Sequence, residues 1–328
     1  MAKHSLITWL FGLFILYSIS NGSSAAAGVA SYNVIKYGAK PDGKTDATAS
    51  FLQTWAAACG SIQAATIYVP KGRYLIKTAT FRGPCKNKID FKIDGTLVAP
   101  LDYTAVGNSG YWILFIQVNG LSVIGGKLDA KASGFWACRQ SGKNCPAGAR
   151  SITFNWINDG LFDGIMSLNS QIMHITINSC NNIIVRNVVV IASYLSPNTD
   201  GIHVQGSTSV SITNCNIRTG DDCISIGPNT RNLWMEKIRC GPGHGISIGS
   251  LGRDYIEDGV ENVTLANSIF TGSDNGLRIK TWGRPSTSFV RNVNFRNIIM
   301  KNVENPIIID QNYCPDKLGC PNQVIMKI

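Results

Sequence analysis

Three short segments place an acidic residue or a histidine at matching points of a repeated pattern. Asp200–Val204, Asp222–Ile226 and His244–Ile248 each begin with that residue, two places before a run of alternating apolar positions, and Asp221 directly precedes Asp222. Carboxyl groups held close together repel unless one keeps its proton. Hydrolysis of a glycosidic bond needs such a pair, since one carboxyl protonates the leaving oxygen while another holds the attacking water.

The same residues also have a purely structural interpretation. Asp-Gly and Gly-Asp-Asp are common turn sequences, so one such pair alone favours a turn. Arg278 and Lys280 follow two repeats after Asp222 and are expected at the same rim. Three aspartates, a histidine, an arginine and a lysine at matched repeat positions favour a functional site. His203, at an alternating position beside them, is expected in the same cleft, whereas His174 suits either the cleft or the interior.

The repeats that carry these residues indicate the fold. Short segments of polar, small and then alternating apolar residues begin at Met173, Asp200, Asp222, His244, Asn275 and Asn305, spaced by 27, 22, 22, 31 and 30 residues. A second set of alternating segments interleaves with them: 182–190, 209–217, 232–240, 262–270 and 292–300. Strand-rich repeats of this size, punctuated by Gly, Asn and Asp, are typical of a parallel β-helix. Stacking would then place Asp200, Asp222 and His244 in one column, about 4.8 Å apart.

The N-terminal part of the mature chain departs from the repeats. Asn33–Tyr37 is predicted to be a short strand. Thr45 or Asp46 can cap a helix that runs to about Cys59, with one apolar face. We expect this helix to cover the open end of the solenoid, as terminal repeats require.

The first residues predict export. Lys3 precedes an apolar run from Leu6 to Ile19, which small residues follow. This order is typical of a secretory signal peptide, predicted over residues 1–27. Since no linker divides the remaining residues, 28–328 are expected to form one catalytic domain.

The cysteines fit a secreted protein. Ten cysteines in an exported chain suggest several disulfides. Plausible pairs are Cys138–Cys145, Cys314–Cys320, Cys223–Cys240 and Cys59–Cys85, while Cys180 and Cys215 have apolar neighbours and suit buried thiols. Zinc-ligand spacing is absent from the sequence, so neither a metal nor a cofactor is expected.

The charge suggests an acidic partner. The chain carries 30 basic and 20 acidic residues, a formal charge of +10. Basic charge attracts polyanions, but without a basic stripe or an aromatic binding motif nucleic acid is a poor candidate. The sequence favours an acidic extracellular polysaccharide, bound by a monomer with no membrane association.

Four motifs together resemble a known family, the polygalacturonases of glycoside hydrolase family 28, which cleave pectin. They are Asn198-Thr199-Asp200, Gly220-Asp221-Asp222, Gly243-His244-Gly245 and Arg278-Ile279-Lys280. Flanking segments resemble the plant members: Ser196-Pro197, Ile248–Gly252, Tyr37-Gly38-Ala39, Asp42-Gly43 and Thr45-Asp46. The resemblance implies an all-β fold, a single-stranded right-handed parallel β-helix of the pectin-lyase-like type with a short N-terminal capping helix.

The resemblance also implies roles for the residues. Asp221 would be the general acid, while Asp200 and Asp222 would activate water, with carboxyl groups about 6.5–9.5 Å apart for inversion. His244 would set the protonation of the acid. Arg278 and Lys280 would pair with the carboxylate of a pectate (homogalacturonan) substrate in the cell wall. Tyr313 matches a substrate-contacting tyrosine, and Asn198 is expected to orient the site.

One departure from the family and several alternatives remain. Family members usually continue for further coils, whereas this sequence stops at Val324–Ile328, so C-terminal coils are expected to be missing and an apolar coil face exposed. A calcium-dependent pectin lyase, an exo-acting polygalacturonase, a rhamnogalacturonan hydrolase and an inactive wall-binding β-helix are the alternatives. Phe81–Lys86 resembles exo-acting members, and the sequence leaves endo or exo action open.

Overall fold

The computed structural model describes residues 29–315 and 320. The predicted signal segment 1–27 and the terminal segment Val324–Ile328 lie outside the described residues. Within the described part of the chain, no helix combines the length and the apolar character needed to cross a bilayer.

Short parallel strands dominate the chain. In order they are β1 (Ala30–Asn33), β2 (Asp42–Asp46), β3 (Ala65–Val69), β4 (Arg73–Leu75), β5 (Ala79–Arg82), β6 (Ile89–Val98), β7 (Tyr111–Ile116), β8 (Asn119–Asp129), β9 (Arg150–Asn155), β10 (Asn158–Asp163), β11 (Met166–Leu168), β12 (Ile175–Asn178), β13 (Asn181–Arg186), β14 (Val189–Ile191), β15 (Ile202–Gln205), β16 (Thr208–Thr213), β17 (Asn216–Arg218), β18 (Ile224–Ile226), β19 (Thr230–Glu236), β20 (Arg239–Cys240), β21 (Ile246–Leu251), β22 (Val260–Thr271), β23 (Asn275–Thr281), β24 (Val290–Lys301) and β25 (Asn305–Asp310). The helices are α1 (Thr48–Gly60), α2 (Thr104–Gly107) and α3 (Ser133–Gln140), with a 3₁₀ turn over Val34–Tyr37.

These strands stack as the predicted right-handed parallel β-helix. One sheet, here called the cleft sheet, has the order β5-β7-β9-β12-β15-β18-β21-β23-β25, one strand from each successive coil. The other strands form a sixteen-stranded sheet, in which the long β6, β8, β22 and β24 continue across the bend between its two halves. The repeat pattern therefore predicted the architecture correctly.

Alternation decides which side chains fill the interior. Ile202, Ile224 and Ile246 are paired across β15, β18 and β21, and all three are buried. Because strand side chains alternate between faces, the residues one place further along, His203 and Ser225 among them, point to the outer face of the cleft sheet. The apolar stack thus fixes the register of the polar one.

The N-terminal helix closes the first coils, as predicted. Phe51 and Trp55 are buried and pack on aromatic rings of the first coils, with Trp55 and Phe81 centroids 5.3 Å apart. Ala47 occupies the cap position without a side-chain bond, and Asp46 instead accepts a hydrogen bond from the Thr48 amide. The strand predicted over Asn33–Tyr37 was wrong: the strand ends at Asn33, whose side chain accepts from the Ile35 amide and starts the 3₁₀ turn.

The predicted cysteine pairing is confirmed. Disulfides join Cys59 to Cys85, Cys138 to Cys145, Cys223 to Cys240 and Cys314 to Cys320, whereas Cys180 and Cys215 are buried thiols. The Cys223 bond lies one residue after Asp222 and ties that turn to β20. It fixes the position at which the acidic segment enters the cleft sheet.

Candidate active site

The register places the three predicted column residues level with one another. Since Ile202 pairs with Ile224 and Ile224 with Ile246, the residues two places earlier, Asp200, Asp222 and His244, occupy equivalent positions. Backbone bonds continue through this turn, with the Gly201 amide donating to the Asp222 carbonyl at 2.9 Å. Adjacent coils thus bring these side chains into one cleft, as the repeats predicted.

Asp221 lies at the surface of the cleft and accepts three hydrogen bonds. Oδ2 accepts from the Asn198 amide at 2.8 Å, and Oδ1 accepts from the Asp222 amide at 2.8 Å. Nδ1 of His244 lies 3.1 Å from the same Oδ1. Burial tends to raise the pKa of Asp221, but the bond and charge of His244 together with the two amides lower it below the usual range.

Asp222 is buried and paired with a cation. Lys280 Nζ donates to Oδ2 at 2.8 Å, and the Ser247 hydroxyl donates to Oδ1 at 2.5 Å. Burial tends to lower the pKa of Lys280, but the charge and hydrogen bond of Asp222 raise it overall. Lys280 was expected to meet a substrate carboxylate; in the unliganded structure it pairs with Asp222 and also lines the cleft.

Asp200 is the carboxyl group whose proton is held most tightly. Burial, followed by repulsion from the charges of Asp221 and Asp222, raises its pKa to about 7, although a hydrogen bond with Ser225 opposes this. The family resemblance gave the role of acid to Asp221, whereas in the unliganded protein the raised carboxyl is Asp200. Within the triad, the pKa of Asp200 is therefore raised while that of Asp221 is lowered, so the proton in mildly acidic solution resides on Asp200 rather than on Asp221.

His244 connects Asp221 to a second acidic group. Its Nε2 lies 3.6 Å from Oδ2 of Asp274, and the Tyr194 hydroxyl donates to the other oxygen of Asp274 at 3.0 Å. The hydrogen bond with Asp221 raises the pKa of His244, and the charges of Asp221, Asp222 and Asp274 add to this against the effect of burial. The contacts with Asp221 and Asp274 thus favour the protonated form of His244.

Arg278 and Tyr313 form the C-terminal wall of the cleft, which has a volume of about 540 Å³. The guanidinium carbon of Arg278 lies 5.6 Å, and Lys280 Nζ 5.5 Å, from the centre of the Tyr313 ring. Nε of Arg278 is buried and has no hydrogen-bond partner among the described residues. Arg278 therefore has a donor available for an anionic ligand.

The remaining predicted residues divide between cleft and interior. Asn198 lines the cleft and contributes its backbone amide to Asp221. His203 also lines it, with Nδ1 2.8 Å from the Ser225 hydroxyl. His174 is fully buried with Nδ1 2.9 Å from the Ser167 hydroxyl, and burial lowers its pKa to about 3, so it belongs to the packing.

Sequence reasoning missed three residues of this region. Asp274 directly precedes the Asn275 repeat, a signal that was available. Arg150 begins β9 and lines the same cleft. Tyr194 reaches Asp274 across 80 residues of sequence, a contact that no local pattern indicates.

In the part of the chain that the structure describes, one cluster of side chains has the geometry to hold a metal ion. Among the described residues, Asp221, Asp222 and His244 offer ligand atoms within 4.8 Å of one another. Lys280 already balances Asp222, and the pKa of His244 is raised, which favours the protonated ring over the neutral form a metal needs. We therefore assign no metal role to these side chains.

Comparison with known proteins identifies the family. Residues 59–328 match the family model of glycosyl hydrolases family 28. The chain is 53% identical over 317 residues to a polygalacturonase from Prunus persica (96% of this chain, 80% of the relative) and 42% identical over 288 residues to an exopolygalacturonase from Platanus acerifolia (87% and 76%). It shares its fold with a polygalacturonase from Erwinia carotovora ssp. carotovora, with a TM-score of 0.70 at 24% identity over 83% of this chain and 78% of that one. The cleft of three carboxyl groups on a parallel β-helix is consistent with these matches. The chain belongs to the glycosyl hydrolases of family 28.

Proposed function

We propose that this protein hydrolyses the α-1,4 galacturonosyl linkages of pectate, as a polygalacturonase, with inversion and without a cofactor. The observation that carries this proposal is one cleft containing Asp200, Asp221 and Asp222 beside Arg278, whose buried Nε has no partner among the described residues. Carboxyl groups supply the acid and the base of glycoside hydrolysis, and an arginine suits a carboxylate on the sugar. The names of the relatives support the same substrate class.

Asp221 is assigned as the general acid, and Asp200 with Asp222 as the groups that hold the attacking water. Asp221 is the least buried of the three and touches the cleft surface. Lys280 pairs with Oδ2 of Asp222 at 2.8 Å and holds that carboxyl group in place. Arg278 and Tyr313 orient the sugar carboxylate, and Asn198 positions the acid through its amide.

His244 supplies the proton that Asp221 lacks in the unliganded protein. The 3.1 Å contact between Nδ1 and Oδ1 is a direct path for transfer. An anionic sugar that excludes water from the cleft raises the pKa of a nearby carboxyl group, which shifts the proton towards Asp221. Hydrolysis on this scheme is fastest in mildly acidic solution, where His244 is protonated.

Secretion to the cell wall is part of the proposal. Four disulfides suit an oxidising compartment, and residues 1–27 have the composition of a signal peptide. Residues 28–328 then form the catalytic domain of a monomer that acts on an acidic polysaccharide.

Reducing-sugar release from polygalacturonate in mildly acidic buffer with a chelator tests the proposal. The native protein is expected to release reducing ends without an unsaturated product, and Asp221→Asn to lose about 10²–10⁴ in rate. Asp159→Asn is the matched control, because Asp159 lies in the asparagine ladder on the other sheet, where it accepts from Asn182. No release by a folded native protein would refute the proposal, and an unsaturated product that needs calcium would identify a lyase.

A further inference from the structure

A second pocket lies beside the active-site cleft, towards the N-terminal coils. It has a volume of about 280 Å³ and shares Arg150, His203 and Gln205 with the walls of the cleft. The two spaces therefore join along the cleft sheet. We call the second one the Arg150 pocket.

The floor of the Arg150 pocket contains polar groups without partners. Thr153 and Thr176 pair across β9 and β12, and their residues are only 6% and 5% exposed. Oγ1 of each threonine and Oδ1 of Asn155 have no hydrogen-bond partner among the described residues. Leaving a buried hydroxyl or amide oxygen unpaired costs free energy. A ligand rich in hydroxyl groups would satisfy all three.

The wall of the Arg150 pocket carries an uncompensated cation. Nη1 of Arg150 donates to the Gly110 carbonyl at 3.2 Å, which holds the side chain in place. None of the residues lining the pocket is acidic, and Arg150 forms no ion pair with a described residue. Tyr111, fixed by a 3.1 Å contact between its hydroxyl and Thr80, adds an aromatic ring. A cation, hydroxyl groups and an aromatic ring together suit a sugar acid.

We propose that the Arg150 pocket binds a further uronate residue of the same polymer, with Arg150 facing its carboxylate and the two threonines its hydroxyl groups. This inference rests on the proposed function. Cations then lie on both sides of the carboxyl triad, Arg150 towards the N-terminus and Arg278 towards the C-terminus. The two lie five coils apart, about 24 Å at the usual strand spacing.

The position of the pocket has a consequence for the mode of cleavage. A polymer that contacts both cations crosses Asp200, Asp221 and Asp222 with sugar units on each side. Cleavage then falls within the chain and releases oligomers, whereas a cleft closed at one end would release single sugars from a chain terminus. The structure therefore favours endo action.

The experiment measures hydrolysis and binding of galacturonate oligomers from dimer to hexamer. For the native protein, kcat/KM should rise with oligomer length until the Arg150 pocket is filled. Arg150→Gln should lower kcat/KM about 10-fold or more on long oligomers and by less on the dimer, as expected for loss of a charge-assisted bond in the pocket. Thr176→Val should give a loss of about 3-fold or more on the same oligomers. Arg186→Gln, which removes the same charge on the other sheet, should have no length-dependent effect.

Several outcomes overturn the inference. Native rates independent of length, release of monomers alone from long oligomers, or an equal loss by Arg150→Gln at every length would each do so. Calorimetric binding of the same oligomers separates the inference from the proposed function. Binding that tightens with length and depends on Arg150, without any hydrolysis, would retain the pocket and refute the polygalacturonase activity. If Arg150→Gln does not fold, Thr176→Val decides the question by both measurements.

Discussion

The ammonium group of Lys280 lies 2.8 Å from Oδ2 of Asp222, and both side chains are at most 9% exposed. The partners are 58 residues apart in sequence and two coils apart in the solenoid. Each carboxyl group of the triad therefore has a different environment. Lys280 offsets the charge of Asp222, Asp200 keeps its proton, and Asp221 faces His244. Three acidic groups can therefore coexist in one cleft.

Removing Lys280 should destabilise the fold more than removing one partner of an exposed ion pair would. Lys280→Met leaves Asp222 buried and unpaired, which costs about 3–5 kcal/mol in the free energy of unfolding. Lys280→Met combined with Asp222→Asn should recover much of that stability while hydrolysis stays lost. Thermal unfolding of the single and double variants checks this, and equal midpoints for the two would contradict it.

The Asp221→Asn variant should lose hydrolytic activity only on substrates whose leaving group needs a proton. Fluoride departs without protonation, so the variant should hydrolyse an α-galacturonosyl fluoride far better, relative to native protein, than it hydrolyses polygalacturonate. Asp200→Asn should lose activity on both substrates if it holds the water. Fluoride release and reducing-sugar release measured side by side give the comparison. The reverse pattern would move the role of acid to Asp200.

Stability should fall as the pH rises from about 4 to 7. The pKa of Asp200 is raised from 3.8 to about 7, chiefly by burial, so the folded state holds a proton there that the unfolded chain has lost. Its stabilising contribution is complete below pH 3.8 and disappears as the pH approaches 7. Asp200→Asn should make the thermal unfolding midpoint less dependent on pH across this window. An unchanged dependence of the midpoint on pH would argue against a protonated Asp200.

Asp274 should set the alkaline limit of activity through His244. Among the described residues, Asp221, Asp222 and Asp274 are the acidic groups that raise the pKa of His244. Asp274→Asn removes one of these charges, so the alkaline limb of kcat/KM should move to lower pH. Tyr194→Phe, which removes only the hydrogen bond to Asp274, should move it less. An unmoved limb in Asp274→Asn would show that His244 does not control this titration.

The sequence alone determined the solenoid and the column at its surface. In a parallel β-helix each coil repeats the alternation of the previous one, and a slip by one residue would turn every apolar side chain outward. The spacing of Ile202, Ile224 and Ile246 was therefore enough to bring Asp200, Asp222 and His244 together. Close sequence spacing also pointed to the Cys138–Cys145 and Cys314–Cys320 disulfides, and apolar flanks pointed to the two buried thiols.

Only the tertiary structure decided how protons and partners are distributed within that column. Asp200 and Asp222 follow the same local pattern, yet one is neutral and the other is paired with Lys280, because a pKa depends on burial and on charges from other coils. The contact from Tyr194 to Asp274 and the unpartnered floor of the Arg150 pocket likewise arise between distant segments. A repeat determines where a side chain lies along the solenoid, whereas its neighbours across the coils determine what it can do.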